Sequence, residues 1–220
     1  MRRPLTIRLK VQRVKLSARG RGEGSRLDGQ DILEENIRGL LATGRTEDAA
    51  TAAIKGYGPH MLRYLRSVLG NEDDSREAFS QFAENLWRGL PEFRGTAPFR
   101  IWAYRIAWNV ACDLRKQPWR SRRRRLETGE ATRIAETVAT STDERLEARR
   151  QELLALREAL SLDDRALAAL RIDQGLSWAE CAEVLSRDGR VVKPNTLTKR
   201  FERIKERLGA LARKRGLLDR

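Results

Sequence analysis

Residues 99–116 read FRIWAYRIAWNVACDLRK. Wound as an α-helix at about 100° per residue, they show two faces. Phe99, Trp102, Ala103, Ile106, Val110 and Leu114 recur at helical spacing and make a core stripe. The opposite face carries Tyr104, Arg105, Trp108, Cys112 and Arg115. Solvent-facing helix surface ordinarily takes Lys, Glu and Gln, so a Tyr–Trp pair flanked by arginines indicates a second contact surface. An all-α domain whose helix also offers a basic, aromatic face is the first expectation.

The surrounding chain has 220 residues, 35% of them charged and 40% apolar. That composition is globular, and the length suits one or two small domains with cores of their own. The net charge of +14 favours a polyanionic partner: nucleic acid, an anionic membrane surface or an acidic protein. No apolar run approaches the roughly 20 residues of a spanning helix. The N-terminal MRRPLTIRLKVQRVKL breaks every apolar pair with a charge, unlike a secretory signal. The cytoplasm is therefore the expected compartment.

Cys112 and Cys181, the only cysteines, fall in helical patterns and read as reduced structural thiols. With one histidine, His60, there is no zinc ligand set; His60 itself reads as exposed or capping. No nucleophile–base pair, metal cluster or phosphate-cradling loop appears, and GRGEG (20–24) lacks a strand–loop–helix frame. Neither enzyme activity nor a cofactor is expected.

Residues 1–30 form a basic leader with a brief strand-like alternation (Ile7, Leu9, Val11), expected to be disordered. From 31 to 117 the pattern is helical. DILEENIRGLLATG predicts a short helix with Ile32, Leu33, Ile37, Leu40 and Leu41 inward. A stretch over about 46–69 follows, weakened at GYGP (56–59) and closed by Gly70. Asn71 to Asp74 offer caps for a helix carrying Ala78, Phe79, Phe82, Ala83, Leu86 and Trp87. Residues 118–142, with five arginines between Arg120 and Arg125, read as a flexible linker. A second helical block spans 143–220. The fold class is thus all-α: two small helical domains on a tether.

In the second block, LSWAECAEVLS (176–186) opens with a Ser177–Glu180 capping box, with Ala179, Ala182 and Leu185 inward. A turn containing Gly189 precedes KPNTLTKRFERIKERLGALARK, where Pro194 suits a first helical turn. Leu197, Phe201, Ile204, Leu208 and Leu211 make its apolar stripe. Short helix, turn, then a helix with a hydroxyl and basic outer face is the helix-turn-helix layout. Lys193, Thr196, Thr198, Lys199, Arg200 and Arg203 are its candidate DNA contacts. An αα-hairpin with a merely solvated basic face is the competing reading.

Together the blocks resemble the extracytoplasmic-function (ECF) group of bacterial RNA polymerase sigma factors. The resemblance rests on NLWRGLPEFRGTAPFRIWAYRIAWNVACDLRK (85–116), similar to that group's region two. It rests also on LSLDDRALAALRIDQGLSWAECAEVL and TLTKRFERIKERL, similar to region four. It implies a promoter-specificity subunit that binds core RNA polymerase and promoter DNA, under an anti-sigma factor in many members. By position it places minus-ten contacts at Arg100, Trp102, Arg105, Trp108, Asn109, Arg115 and Lys116, although Trp102 also belongs to the core stripe. It implies minus-thirty-five contacts on the helix that follows Lys193. Core-polymerase contacts would fall among Phe79, Gln81, Phe82, Asn85 and Trp87, divided between core and interface. Stacking of unpaired bases on aromatic rings, at about 1–3 kcal/mol each, suits the aromatic face. Trp108 stands where an Arg is common, and LSRDGRVVKPNT makes the helix-turn-helix turn several residues longer than usual. The alternative is a stand-alone helix-turn-helix regulator.

Overall fold

The structure is a computed structural model that describes residues 29–116 and 155–215. Residues 1–28, 117–154 and 216–220 lie outside it, and with them the expectations for the leader, the Arg-rich linker and the start of the second helical block. Among the described residues every extended element is helical. The sole β-type pairing among these residues is an isolated bridge between Arg187 and Arg190.

The first block holds four helices: α1 (Gly29–Ala42), α2 (Thr46–Leu69), α3 (Glu72–Gly89) and α4 (Phe99–Lys116). A 3₁₀ turn at Leu90–Glu92 joins the last two. The second block runs α5 (Leu162–Ala168), a π turn (Ala169–Asp173), α6 (Trp178–Leu185) and α7 (Pro194–Lys214).

Local chemistry sets most boundaries. Gly70 closes α2 at φ +79°, a left-handed conformation that costs glycine little. Asn71 then caps α3, its side chain accepting the Asp74 N–H at 2.8 Å. Ser177 and Glu180 form the reciprocal capping box of α6, at 3.2 and 2.7 Å. Pro194 occupies the first turn of α7, where its missing N–H leaves no bond unmade.

Four expectations are corrected. GYGP does not weaken α2, which runs through with Pro59 inside it. An internal proline costs about 3 kcal/mol, and here Tyr57, Gly58, Met61, Leu62, Tyr64 and Leu65 are buried around it. His60 is consequently a half-buried mid-helix residue, neither exposed nor a cap, and its burial lowers its pKa. Ile32 is 55% exposed, so α1 turns only Ile37 fully inward. In α6 the buried positions are Cys181, Ala182, Val184 and Leu185, with Ala179 outside.

A single hydrophobic cluster extends from Ile37 to Ile204. α4 is at its centre, against α2, α3 and α6, and α2 also touches α5 and the π turn. Gly56 allows α1 to lie close on α2: a Cβ there would stand 2.3 Å from the Leu33 side chain.

Candidate nucleic-acid interface

The N-terminus of α4 leaves first-turn N–H groups without helical partners. Glu34, one helix removed in space and 65 residues in sequence, supplies them. Its carboxylate accepts the N–H groups of Phe99 at 2.9 Å and Arg100 at 2.7 Å, and the Tyr57 hydroxyl at 3.1 Å. Burial, and then the neighbouring Glu34 charge, push the Tyr57 pKa far up, so the hydroxyl stays a donor. The Tyr57 ring stacks on Phe99, which joins Phe93 and Trp102 in an aromatic knot with centroids 5.0–5.7 Å apart.

Trp102 is therefore half-buried in that knot. The aromatic half of the second face is not open to solvent: Tyr104 is 1% and Trp108 3% exposed. Tyr104 meets Tyr64 edge to face at 5.3 Å and donates to Gln174 Oε1 at 2.6 Å, a residue of the second block. A helix apolar on most sides is a buried helix, and α4 is one. What it shows to solvent is Arg105, Asn109, Asp113, Arg115 and Lys116. Arg100 is half-buried, its guanidinium 3.2 Å from Glu180. Of the seven minus-ten candidates, four thus lie at the surface, Arg100 is paired, and the two tryptophans are packed.

On α7, Leu197, Phe201 and Ile204 are buried, and Trp178 meets Phe201 edge to face. The Arg171 guanidinium lies over the Trp178 indole, 4.6 Å from the ring centroid. Lys193, Thr196, Lys199 and Arg203 are exposed along one side. Thr198 is half-buried and bonds back to the Pro194 carbonyl at 3.3 Å. Arg200 is turned onto α5: its Nε donates to Asp164 at 2.5 Å and its Nη2 to Ser161 at 3.3 Å. The structure gives Arg200 a bracing role between helices and leaves the other four a contiguous basic edge.

On α3, Phe79 and Phe82 stack on each other inside the core, at 1% and 0% exposure. Gln81 and Trp87 are half-buried and Asn85 is exposed, so of the five candidates these three reach the surface of that helix. The five candidates on this helix therefore divide cleanly: the two phenylalanine rings are structural, and Gln81, Asn85 and Trp87 are accessible.

Sequence reasoning missed Glu34 and Arg187. Glu34 gave no signal because its three bonds are to residues 23 to 66 positions away. Arg187, in the lengthened turn, reaches α4. Only the unusual turn length pointed to it. Among the described residues no group of His, Cys, Asp or Glu is placed to hold a metal ion, and no helix is long and apolar enough to cross a membrane.

Residues 53–124 match the family model for Sigma-70 region 2. That stretch includes most of α2 and all of α3 and α4. No curated protein matches the chain. Among solved structures the chain is similar to CnrH in complex with the cytosolic domain of CnrY, with a TM-score of 0.57 and 24% identity. The match covers 85% of this chain and 99% of that one, and shows a shared fold across both helical blocks.

Proposed function

We infer that this chain, an RNA polymerase sigma factor by its Sigma-70 region 2, works as the ECF group does. It binds core polymerase, brings it to promoters and helps hold the opened strand. The observation that carries this reading is order: a Sigma-70 region 2 on α2–α4, followed by a helix-turn-helix with a basic outer edge. In this reading Arg105, Asn109, Arg115 and Lys116 of α4, with Arg100 once released, meet the minus-ten element. Trp102 and Trp108 support that surface from below. Lys193, Thr196, Lys199 and Arg203 meet the minus-thirty-five element, with Thr198 and Arg200 holding the helix in place. Gln81, Asn85 and Trp87 contact the polymerase, and Phe79 and Phe82 shape the helix that presents them.

No bond chemistry falls to the chain, and it acts in the cytoplasm. CnrH was solved with the cytosolic domain of CnrY; a regulatory protein partner, an anti-sigma factor, is part of the proposal for this chain. Each domain binds its element modestly, and the tether makes the second contact effectively intramolecular.

The test is fluorescence anisotropy of the labelled full chain with core RNA polymerase near physiological salt, with Asn85→Ala and Trp87→Ala as comparisons. Saturable sub-micromolar binding, weakened in variants that keep their helical circular dichroism, is the expected result. A folded chain that ignores polymerase yet binds duplex DNA specifically would replace this reading with the stand-alone regulator.

A further inference from the structure

The lengthened helix-turn-helix turn is an ordered hairpin. Arg187 and Arg190 exchange backbone bonds at 3.1 and 2.8 Å around Asp188 and Gly189, whose φ angles are +52° and +77°. Positive φ at both central positions of a two-residue loop is the tight geometry that Asp-Gly favours. Ser186 Oγ fixes the base of the hairpin by accepting the Val192 N–H at 2.9 Å. Val192 packs against the core while Val191 is 80% exposed, the alternation of an extended segment that leads into α7.

The two arginines of this hairpin differ in what they meet. Arg187 lies against α4, its Nη1 donating to the Asn109 carbonyl at 3.1 Å, its Nη2 to the Asp113 carboxylate, and its Nε to Asp188 at 2.9 Å. Asp188, the one acid of the hairpin, is thereby paired, and Lys116 Nζ stands 3.7 Å from its other side. Arg190 is exposed, and among the described residues its guanidinium meets no acceptor. Residues directly opposed on a hairpin share a face, and like charges there are destabilising. Opposite Arg187, the Arg190 charge therefore contributes nothing to the fold, and an anion from outside the chain would relieve it.

Arg190 also heads a stretch without acids. From Arg190 to Phe201 the sequence has four cations and no carboxylate, and Lys193 and Lys199 among them are exposed on the edge that Arg203 continues. We propose that the Arg187–Arg190 hairpin is an additional duplex-DNA contact, which carries Arg190 onto a backbone phosphate beyond the stretch met by α7. Arg190 and Lys193 are three residues apart, so their Cα atoms are separated by at most about 11 Å. A strand advances about 3.4 Å per nucleotide, so Arg190 reaches up to about three phosphates past the Lys193 contact. A guanidinium can grip a phosphate through two parallel N–H bonds, and a preformed hairpin avoids the ordering cost of a slack loop. The added length of the turn thus widens the footprint of the second block on DNA. The proposal rests on the helix-turn-helix part of the function proposed above.

The test is anisotropy of a fluorescein-labelled, mixed-sequence 30-bp duplex titrated with the full chain between 50 and 200 mM salt. Arg190→Ala should reduce the slope of log K against log salt by about 0.9, so that its deficit against wild type shrinks about 3.5-fold across that range. Arg190→Lys keeps the charge and should restore the wild-type slope. Arg190→Ala combined with Arg203→Ala should lose about 1.8, the sum of two separate phosphate contacts. Arg38→Ala on α1, which removes an equal charge from an exposed site, should change the slope by less than about 0.3, because it alters only the general field. Circular dichroism confirms that each variant keeps its helices. A normal slope for Arg190→Ala beside a reduced one for Arg203→Ala would overturn the hairpin contact and leave the helix-turn-helix standing, with an acidic protein as the partner of Arg190. Equal losses for Arg190→Ala and Arg38→Ala would overturn it as well. No effect of either Arg190→Ala or Arg203→Ala would overturn the hairpin contact and the helix-turn-helix reading together.

Discussion

Removing the Glu34 carboxylate tests whether α1 is a working part of the first helical block. In Glu34→Ala the N–H groups of Phe99 and Arg100 and the Tyr57 hydroxyl lose their acceptor. Hydrogen bonds to a charged group contribute about 1.5–3 kcal/mol, and loss of a helix N-cap costs about 0.5–2 kcal/mol. These three share one carboxylate at a half-buried site, and water can recover part of the loss, so about 2–3 kcal/mol is expected in total. For a chain of this size that lowers Tm by about 4–12 °C. Glu34→Gln keeps one acceptor oxygen and should lose about half as much. Urea denaturation followed by circular dichroism at 222 nm, at unchanged m-value, is the assay. A loss below about 0.5 kcal/mol for Glu34→Ala, the size of an ordinary surface substitution, would refute the capping role.

Phe82→Ala should destabilise the chain by about 3–5 kcal/mol, since its ring is fully buried against Phe79; chemical denaturation reads this directly, and a neutral result would mean the ring is not core. Arg203→Ala should weaken duplex binding and reduce the slope of log K against log salt by about 0.9, the loss of one phosphate contact. Arg200→Ala should instead lower the melting temperature, because it removes the brace to Asp164 and Ser161. Burial raises the Glu180 pKa, but its bonds with Ser177 and the Arg100 charge outweigh this and hold it below the ordinary value. A folded pKa below the unfolded one stabilises above the unfolded value and loses that contribution as pH falls through the folded value. Stability should therefore decline below about pH 4.5, and Glu180→Gln, which keeps the capping geometry, should flatten that decline in urea midpoints measured from pH 6 to 3.

What the sequence by itself determined is local or periodic. The Asn71 cap, the Ser177–Glu180 box and Pro194 at the start of α7 act within one helical turn, so neighbouring residues suffice to read them. The stripes Phe79–Phe82 and Leu197–Phe201–Ile204 are buried as their spacing required. Helical class, the order of the two blocks and the helix-turn-helix were legible for this reason. Tertiary structure decided the rest. It carried α2 through Pro59 and exposed Ile32. It also made the Tyr104–Trp108 half of the second face a packing surface, leaving the arginines, Asn109 and Lys116 outside. It chose Arg200 as a brace rather than a groove contact, and it brought Glu34 and Arg187 to opposite ends of α4. Periodicity tells which residues share a face, but not what lies against it. That depends on which distant helix offers the better burial and the complementary charge, and those partners are set only when the chain has closed on itself.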